Sequence, residues 1–208
     1  MSSGAMLRQL FSRAKIGSRD KSNGYDSVAD KFIATRNPEI GAETIRKWSK
    51  TLPGGASVLD LGCGHGVPLC ATLVSEGLRV YGVDASERLL SEYRRRFPNA
   101  EVECASVEDS KFFGRRFDGV IAWGLLFLLN GDAQAQVIAK IARTLRSGGQ
   151  FCFTAPKESV TWKDSLTGHE SRSLGAAAYR SILSSEGLAP NGEDDDEGAN
   201  HYYFASKT

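Results

Sequence analysis

The sequence predicts an α/β fold built on a mainly parallel sheet, and three observations carry it. Val58–Leu61 is an apolar run that breaks into glycines at 62, 64 and 66, the pattern of a buried strand entering a tight loop. A second apolar run, Leu78 to Val83, ends in the carboxylate of Asp84, 18 positions after Gly66. Later apolar runs alternate with amphipathic segments, which predicts parallel strands joined by right-handed helical crossovers.

Taken in order, residues 1–22 carry Arg8, Arg13, Lys15, Arg19 and Lys21 against one acid, Asp20. They read either as a solvated basic tail ahead of a domain at 23–208 or as an Arg- and Ser-containing mitochondrial presequence. From Tyr25, apolar Val28, Ala29, Phe32 and Ile33 suit a helix that Asn37-Pro38 breaks. A second helix over 41–49 leads through Leu52-Pro53-Gly54-Gly55 into a strand at 57–61. The glycine loop opens a helix at Val67 to Val74, apolar at Val67, Leu69, Cys70, Leu73 and Val74.

After the second strand, Ser86 begins a helix that ends at Phe97-Pro98-Asn99. Strands are predicted at 100–105, at 117–122 and at 150–154, and a helix over 132–145 with Asp132 as its cap and Ser147-Gly148-Gly149 as its stop. The tail holds a helix over 174–186 and a last strand at 201–205. Glu193-Asp194-Asp195-Asp196-Glu197 reads as a solvated turn, and Trp162 to Ser173 as a long polar connection.

Bulk properties exclude several classes. A chain of 208 residues suits one domain, burying roughly 70% of its unfolded surface. A net charge of +1 and no basic stripe argue against nucleic-acid partners. No run of 18 apolar residues argues against a membrane span, and the N-terminus lacks the apolar core of a secretory signal. Cys63, Cys70, Cys104 and Cys152 form no C-x-x-C pair, so neither a disulfide framework nor a metal site is expected, and all four are read as buried thiols. A cytoplasmic monomer or homodimer is the expected form, with the mitochondrial matrix as the alternative compartment.

Strand, glycine loop, helix, strand and acid together form the layout of a unit that holds a ribose-bearing cofactor. A dinucleotide fingerprint wants glycine at its sixth position, where Val67 stands, and no Gly-Lys-Ser/Thr follows to make a phosphate-cradling loop. Alternating glycines let the backbone approach a ligand that carries no phosphate.

Asp60, Gly62, Gly64 and Gly66 fill a D/E-x-G-x-G-x-G motif, with Asp84 in register behind it. In this the chain resembles the class I S-adenosylmethionine-dependent methyltransferases. The resemblance implies a Rossmann-like three-layer αβα sandwich whose mainly parallel seven-stranded sheet ends in an antiparallel strand. It implies S-adenosyl-L-methionine as the cofactor, held along the loop Gly62-Cys63-Gly64-His65-Gly66 above Asp60, with Asp84 and Ala85 at the ribose. His65 would contribute its backbone to the lining. In the tract Ser106-Val107-Glu108, either Ser106 or Glu108 serves the adenine amino group. Ala122 and Trp123 would face the methionine half, Trp123 either offering its ring to the sulfonium or simply filling core. Tyr25 and Arg36 would close over the methionine, Arg36 pairing with its carboxylate or lying on the surface.

The sulfonium is already an activated electrophile, so transfer needs chiefly alignment and a site without bulk water. If an acceptor of high pKa needs a base, His169 and His201 are the candidates; either is alternatively a surface residue. The expected activity is methyl transfer to a small-molecule nucleophile. A non-catalytic cofactor-binding sensor or partner subunit is the alternative, and Val67 disfavours a nicotinamide oxidoreductase.

Overall fold

Each strand of the sheet's centre is apolar on both sides, and this forces it between two layers of helices. In the computed structural model, which describes residues 20–208, β1 (Ser57–Leu61) is buried throughout. Leu59 and Leu61 enter one core, and Val58 enters the other. The flanking helices α2 (Ala42–Ser49), α3 (Leu69–Ser75) and α4 (Glu87–Arg96) cover the Val58 face through Trp48, Leu73 and Tyr93. Helices α5 (Gly131–Thr144) and α6 (Ala176–Ser185) cover the other face through Ile138, Ile141, Tyr179 and Leu183.

The remaining strands are β2 (Arg79–Asp84), β3 (Glu101–Cys104), β4 (Phe117–Ala122), β5 (Leu145–Thr154), β6 (Ser159–Lys163), β7 (Glu170–Leu174), β8 (Leu188–Asp195) and β9 (His201–Lys207). The main sheet has seven strands in the order β3-β2-β1-β4-β5-β9-β8. Strands β1 to β5 pair in parallel, while β9 runs antiparallel to both β5 and β8. This is the three-layer sandwich expected, with its last strand reversed. Register aligns Leu61 with Val83 and Asp84 with Cys104, so the carboxyl ends of β1, β2 and β3 share one edge. Chain order reverses between β1 and β4 there, which opens a crevice.

Several boundaries differ from the sequence reading. The tail and presequence readings of residues 1–19 lie outside the described residues. Residues 20–22 are not tail: Asp20 accepts hydrogen bonds from the Ser22 N–H (2.9 Å), the Ser22 hydroxyl (2.6 Å) and the Gly24 N–H (3.1 Å). The segment from Tyr25 is a run of turns, and helix α1 begins at Ala29 and ends at Thr35. The cap of α5 is Asn130, whose side chain accepts from the Ala133 N–H at 2.9 Å, and not Asp132. Cys104 is exposed rather than buried, because β3 is the edge strand.

Two larger corrections fall in the C-terminal half. Of the acidic run at 193–197, read as a solvated turn, residues 193–195 end strand β8, with Asp194 and Asp195 paired to Tyr202 and His201, while buried Asp196 and exposed Glu197 enter the turn before β9. Asp, Asn, Gly and Pro are poor strand formers, yet an edge strand needs only one partner, and its carboxylates meet Lys157 (2.9 Å) and Arg180 (2.6 Å). The polar connection at 162–173 is a hairpin, β6 against β7, with Trp162 opposite Ser171. Its turn is built on the Asp164 carboxylate, which accepts from the N–H groups of Leu166 (3.0 Å) and Thr167 (2.8 Å).

Candidate functional site

At the end of β1 the chain turns sharply because the Gly62 and Cys63 N–H groups both donate to the Val83 carbonyl, at 2.8 and 3.2 Å. The glycine loop is thus folded onto the end of β2. Asp84 then ties the next layer: one carboxylate oxygen accepts from the Gly64 N–H and the other from the Ser86 N–H, both at 2.8 Å. Burial pushes the Asp84 carboxyl up, against the lowering effect of those backbone bonds. Gly66 turns away from the crevice. A Cβ there would lie 2.4 Å from Phe97 Cε2, so this glycine lets the loop lie on α4.

The crevice holds a cavity of about 390 Å³. Of the residues singled out in the sequence, Tyr25, Arg36, Gly62, Gly64, Asp84, Ala85, Ser106, Val107, Glu108 and Trp123 line it. Asp60, Cys63, His65, Gly66 and Ala122 lie outside that lining and support it from beneath or behind. Asp60 is 1% exposed and its Oδ2 has no hydrogen-bond partner. Burial, with the charge of Asp84 adding and Arg36 opposing, pushes its carboxyl up to about 7. His65 is buried edge-on to Phe32 with its Nδ1 unpartnered. Burial and then the charges of Arg96 and Arg36 pull it down to about 4.

The two histidines read as candidate bases do not meet the cavity. His201 is 6% exposed, and its ring nitrogens face Asp195 (2.8 Å) and Glu193 (3.2 Å) on β8. Pairing with Asp195 on β8 puts it on the acidic edge, while Asn200, just before β9, reaches the cavity. His169 is exposed at the hairpin turn, 3.1 Å from the Asn23 side chain. Its place is to dock the hairpin onto the N-terminal turns.

Trp123 belongs to the core and also lines the cavity. It is 8% exposed and packs in the core, and its indole N–H donates to the Tyr202 hydroxyl at 2.7 Å. Tyr202 in turn donates to Asp196 at 2.8 Å. The Arg36 guanidinium lies 3.9 Å over the Trp123 ring and 5.1 Å from the Phe32 centroid, so one indole face is covered by a cation.

Sequence reasoning missed Lys140, whose ammonium donates to the carbonyls of Val107 (2.9 Å), Glu108 (3.2 Å) and Ser110 and so fixes the loop after β3. It missed Asp26, which accepts from the Ser86 hydroxyl at 2.7 Å. It also missed Phe127, Trp162 and Asp164 on the cavity wall. An amphipathic-helix lysine and a polar hairpin carry no local signal for these roles.

Residues 58–149 match the family described as Methyltransferase domain. This stretch, from β1 to the start of β5, is similar to that family. The chain is 29% identical over 149 residues to a demethylmenaquinone methyltransferase of Symbiobacterium thermophilum, covering 64% of this chain and 58% of that one. It is 37% identical over 123 residues to an uncharacterized 37.1 kDa protein in transposon Tn4556 of Streptomyces fradiae, covering 54% of this chain and 32% of the other. The chain thus spans about a third to three fifths of the length of these curated relatives. Among solved structures, magnesium protoporphyrin IX methyltransferase from Synechocystis PCC 6803 with bound SAH (S-adenosylhomocysteine) superposes with a TM-score of 0.71 at 17% identity. That match covers 91% of this chain and 100% of that one, and it is a likeness of fold.

Proposed function

We propose that this chain binds S-adenosyl-L-methionine along the Gly62–Gly64 loop and moves its methyl group to a small-molecule nucleophile. The observation that carries the reading is the Asp84 carboxylate. It is anchored by the Gly64 and Ser86 N–H groups and lines the cavity, so its remaining lone pairs suit the two hydroxyls of a ribose. Arg36 supports the other end, because its Nε is buried without a partner beside the cavity and suits a carboxylate. Between the candidates for the adenine amino group, Glu108 is favoured. The Ser106 hydroxyl already donates to Asp109 at 2.9 Å, whereas Glu108 is exposed at the rim.

The bound cofactor supplies an electrophilic methyl on a sulfonium. The protein's part is to hold its two ends, to exclude water and to leave space for an acceptor, and Trp123 and Phe32 wall the methionine side with apolar surface. The cavity continues past this region along Phe127 and Trp162, which favours an enzyme over a sensor that only holds the cofactor. Among the described residues no helix is long and apolar enough to cross a membrane. A small-molecule acceptor accords with two of the matched proteins, the demethylmenaquinone and magnesium protoporphyrin IX methyltransferases.

Calorimetric titration with S-adenosylmethionine, SAH and NADH tests the reading. Binding of the first two at micromolar concentration without NADH is expected, and Asp84→Ala should weaken it by about 1.5–3 kcal/mol. Binding of NADH alone, or unchanged affinity in a folded Asp84→Ala protein, overturns it.

A further inference from the structure

The N-terminal turns and the β6–β7 hairpin, far apart in sequence, meet through His169 and Asn23 and, at the cavity wall, through a hydrogen bond of Tyr25. The Tyr25 hydroxyl lies 3.1 Å from Asp164 Oδ2. The other carboxylate oxygen of Asp164 is fully used, accepting from the Leu166 N–H, the Thr167 N–H and the Thr167 hydroxyl at 3.0, 2.8 and 3.0 Å. Burial pushes the Asp164 carboxyl up, but the bonds from Thr167, Leu166 and Tyr25 outweigh it and hold it below the ordinary carboxylate range. Asp164 is therefore an ionised acceptor, and the shared proton belongs to Tyr25. Burial, then the Asp164 charge, pushes the Tyr25 phenol well above its ordinary value. Tyr25 thus has its proton committed to Asp164, and the lone pairs of its oxygen are what it can offer to a ligand.

The adjoining wall is of opposite character. Phe127 and Trp162 stand with ring centroids 5.3 Å apart at 51°, both only partly buried. With Leu125, Leu128 and Leu129 they line the same cavity. Phe127 belongs to the turn that follows β4, and Trp162 to the hairpin that carries Asp164. An apolar stretch of wall with two aromatic rings and the Tyr25 hydroxyl thus belong to one cavity, which Asn23, Lys163 and Ser165 also line.

We propose that this part of the cavity is the acceptor subsite and that it takes a flat, apolar ring bearing an O–H or N–H nucleophile, with the ring against Phe127 and Trp162 and the proton directed at the Tyr25 oxygen. Asp164 is a positioning residue that fixes the direction of the Tyr25 hydroxyl. The assignment rests on the methyltransferase reading and names the substrate class of that same site. It also gives the protic group a partner that neither His169 nor His201 supplies.

The test uses the full chain loaded with SAH and two probes of one shape, 2-naphthol and naphthalene, titrated calorimetrically. 2-Naphthol should bind about tenfold more tightly than naphthalene, a difference that Tyr25→Phe abolishes without lowering naphthalene affinity. Asp164→Asn should shrink the same discrimination. Trp162→Ala should weaken both probes by about tenfold; if that variant does not fold, Phe127→Leu serves, with thermal melting as the check on folding. Failure to bind SAH overturns the methyltransferase reading itself. SAH binding with no naphthol binding, equal affinity for the two probes, or a discrimination that survives Tyr25→Phe overturns the subsite alone.

Discussion

The guanidinium of Arg36 rests 3.9 Å over the ring of Trp123, and the indole beneath it is held in orientation by Tyr202 and, through Tyr202, by Asp196. A buried cation without a bonded carboxylate is costly, and here burial pulls the Arg36 guanidinium down to about 10. The aromatic contact offsets part of that cost, and an incoming carboxylate offsets more. Arg36→Ala should therefore weaken S-adenosylmethionine binding by about 1.5–3 kcal/mol. Arg36→Lys should restore little of it, because an ammonium neither stacks on the indole nor binds a carboxylate bidentately. Calorimetry on the two variants measures both.

Gly66 separates a structural glycine from a ligand-facing one. Its φ is +84° and an added Cβ would meet Phe97 and Tyr93 of the α4 region. Gly66→Ala combines a left-handed backbone penalty of about 1–2 kcal/mol with overpacking of about 1–3 kcal/mol. The melting temperature should fall steeply, while protein that remains folded binds S-adenosylmethionine with wild-type affinity.

Asp60 makes stability depend on pH in an unusual direction. Its folded carboxyl is raised by burial to about 7, above the ordinary 3.8. Between those values the unfolded chain releases the proton and the folded protein keeps it, so stability falls as pH rises and levels off above the folded value. At about 1.4 kcal/mol per pKa unit, Asp60→Asn should gain about 2–3 kcal/mol relative to wild type between pH 5 and pH 8. Chemical denaturation of both proteins at the two pH values measures this. A variant that gains nothing shows that Asp60 ionises normally.

His201 should matter for stability and not for chemistry. Its ring bridges Asp195 and Glu193 away from the cavity, so His201→Gln should cost about 1–2 kcal/mol of stability. S-adenosylmethionine affinity and methyl transfer to an accepted substrate should stay within about twofold of wild type. A larger loss of turnover with normal affinity would return His201 to the reaction.

Residues 57–84 carried most of what could be read without coordinates. There the strand, the loop, the helix and the acid follow one another directly, so burial period and glycine placement report the fold, and Asp84 sits where the loop must return to it. Asp84, Ala85 and the tract Ser106 to Glu108 lie at strand ends that the parallel register brings to one edge, and all of them line the cavity. The reversed last strand followed from family resemblance and from no residue pattern.

Tertiary structure alone decided the rest. Tyr25 and Asp164 are 139 positions apart, Trp123 and Tyr202 are 79 apart, and Lys140 reaches a carbonyl 33 positions back. Such pairs are set by how elements pack, and a polar hairpin or an exposed-looking arginine has no periodicity that announces them. His201 shows the same limit from the other side. It was a candidate base, but in a strand adjacent side chains point to opposite faces, and only the pairing of β9 with β8 determined that its own face is the acidic one.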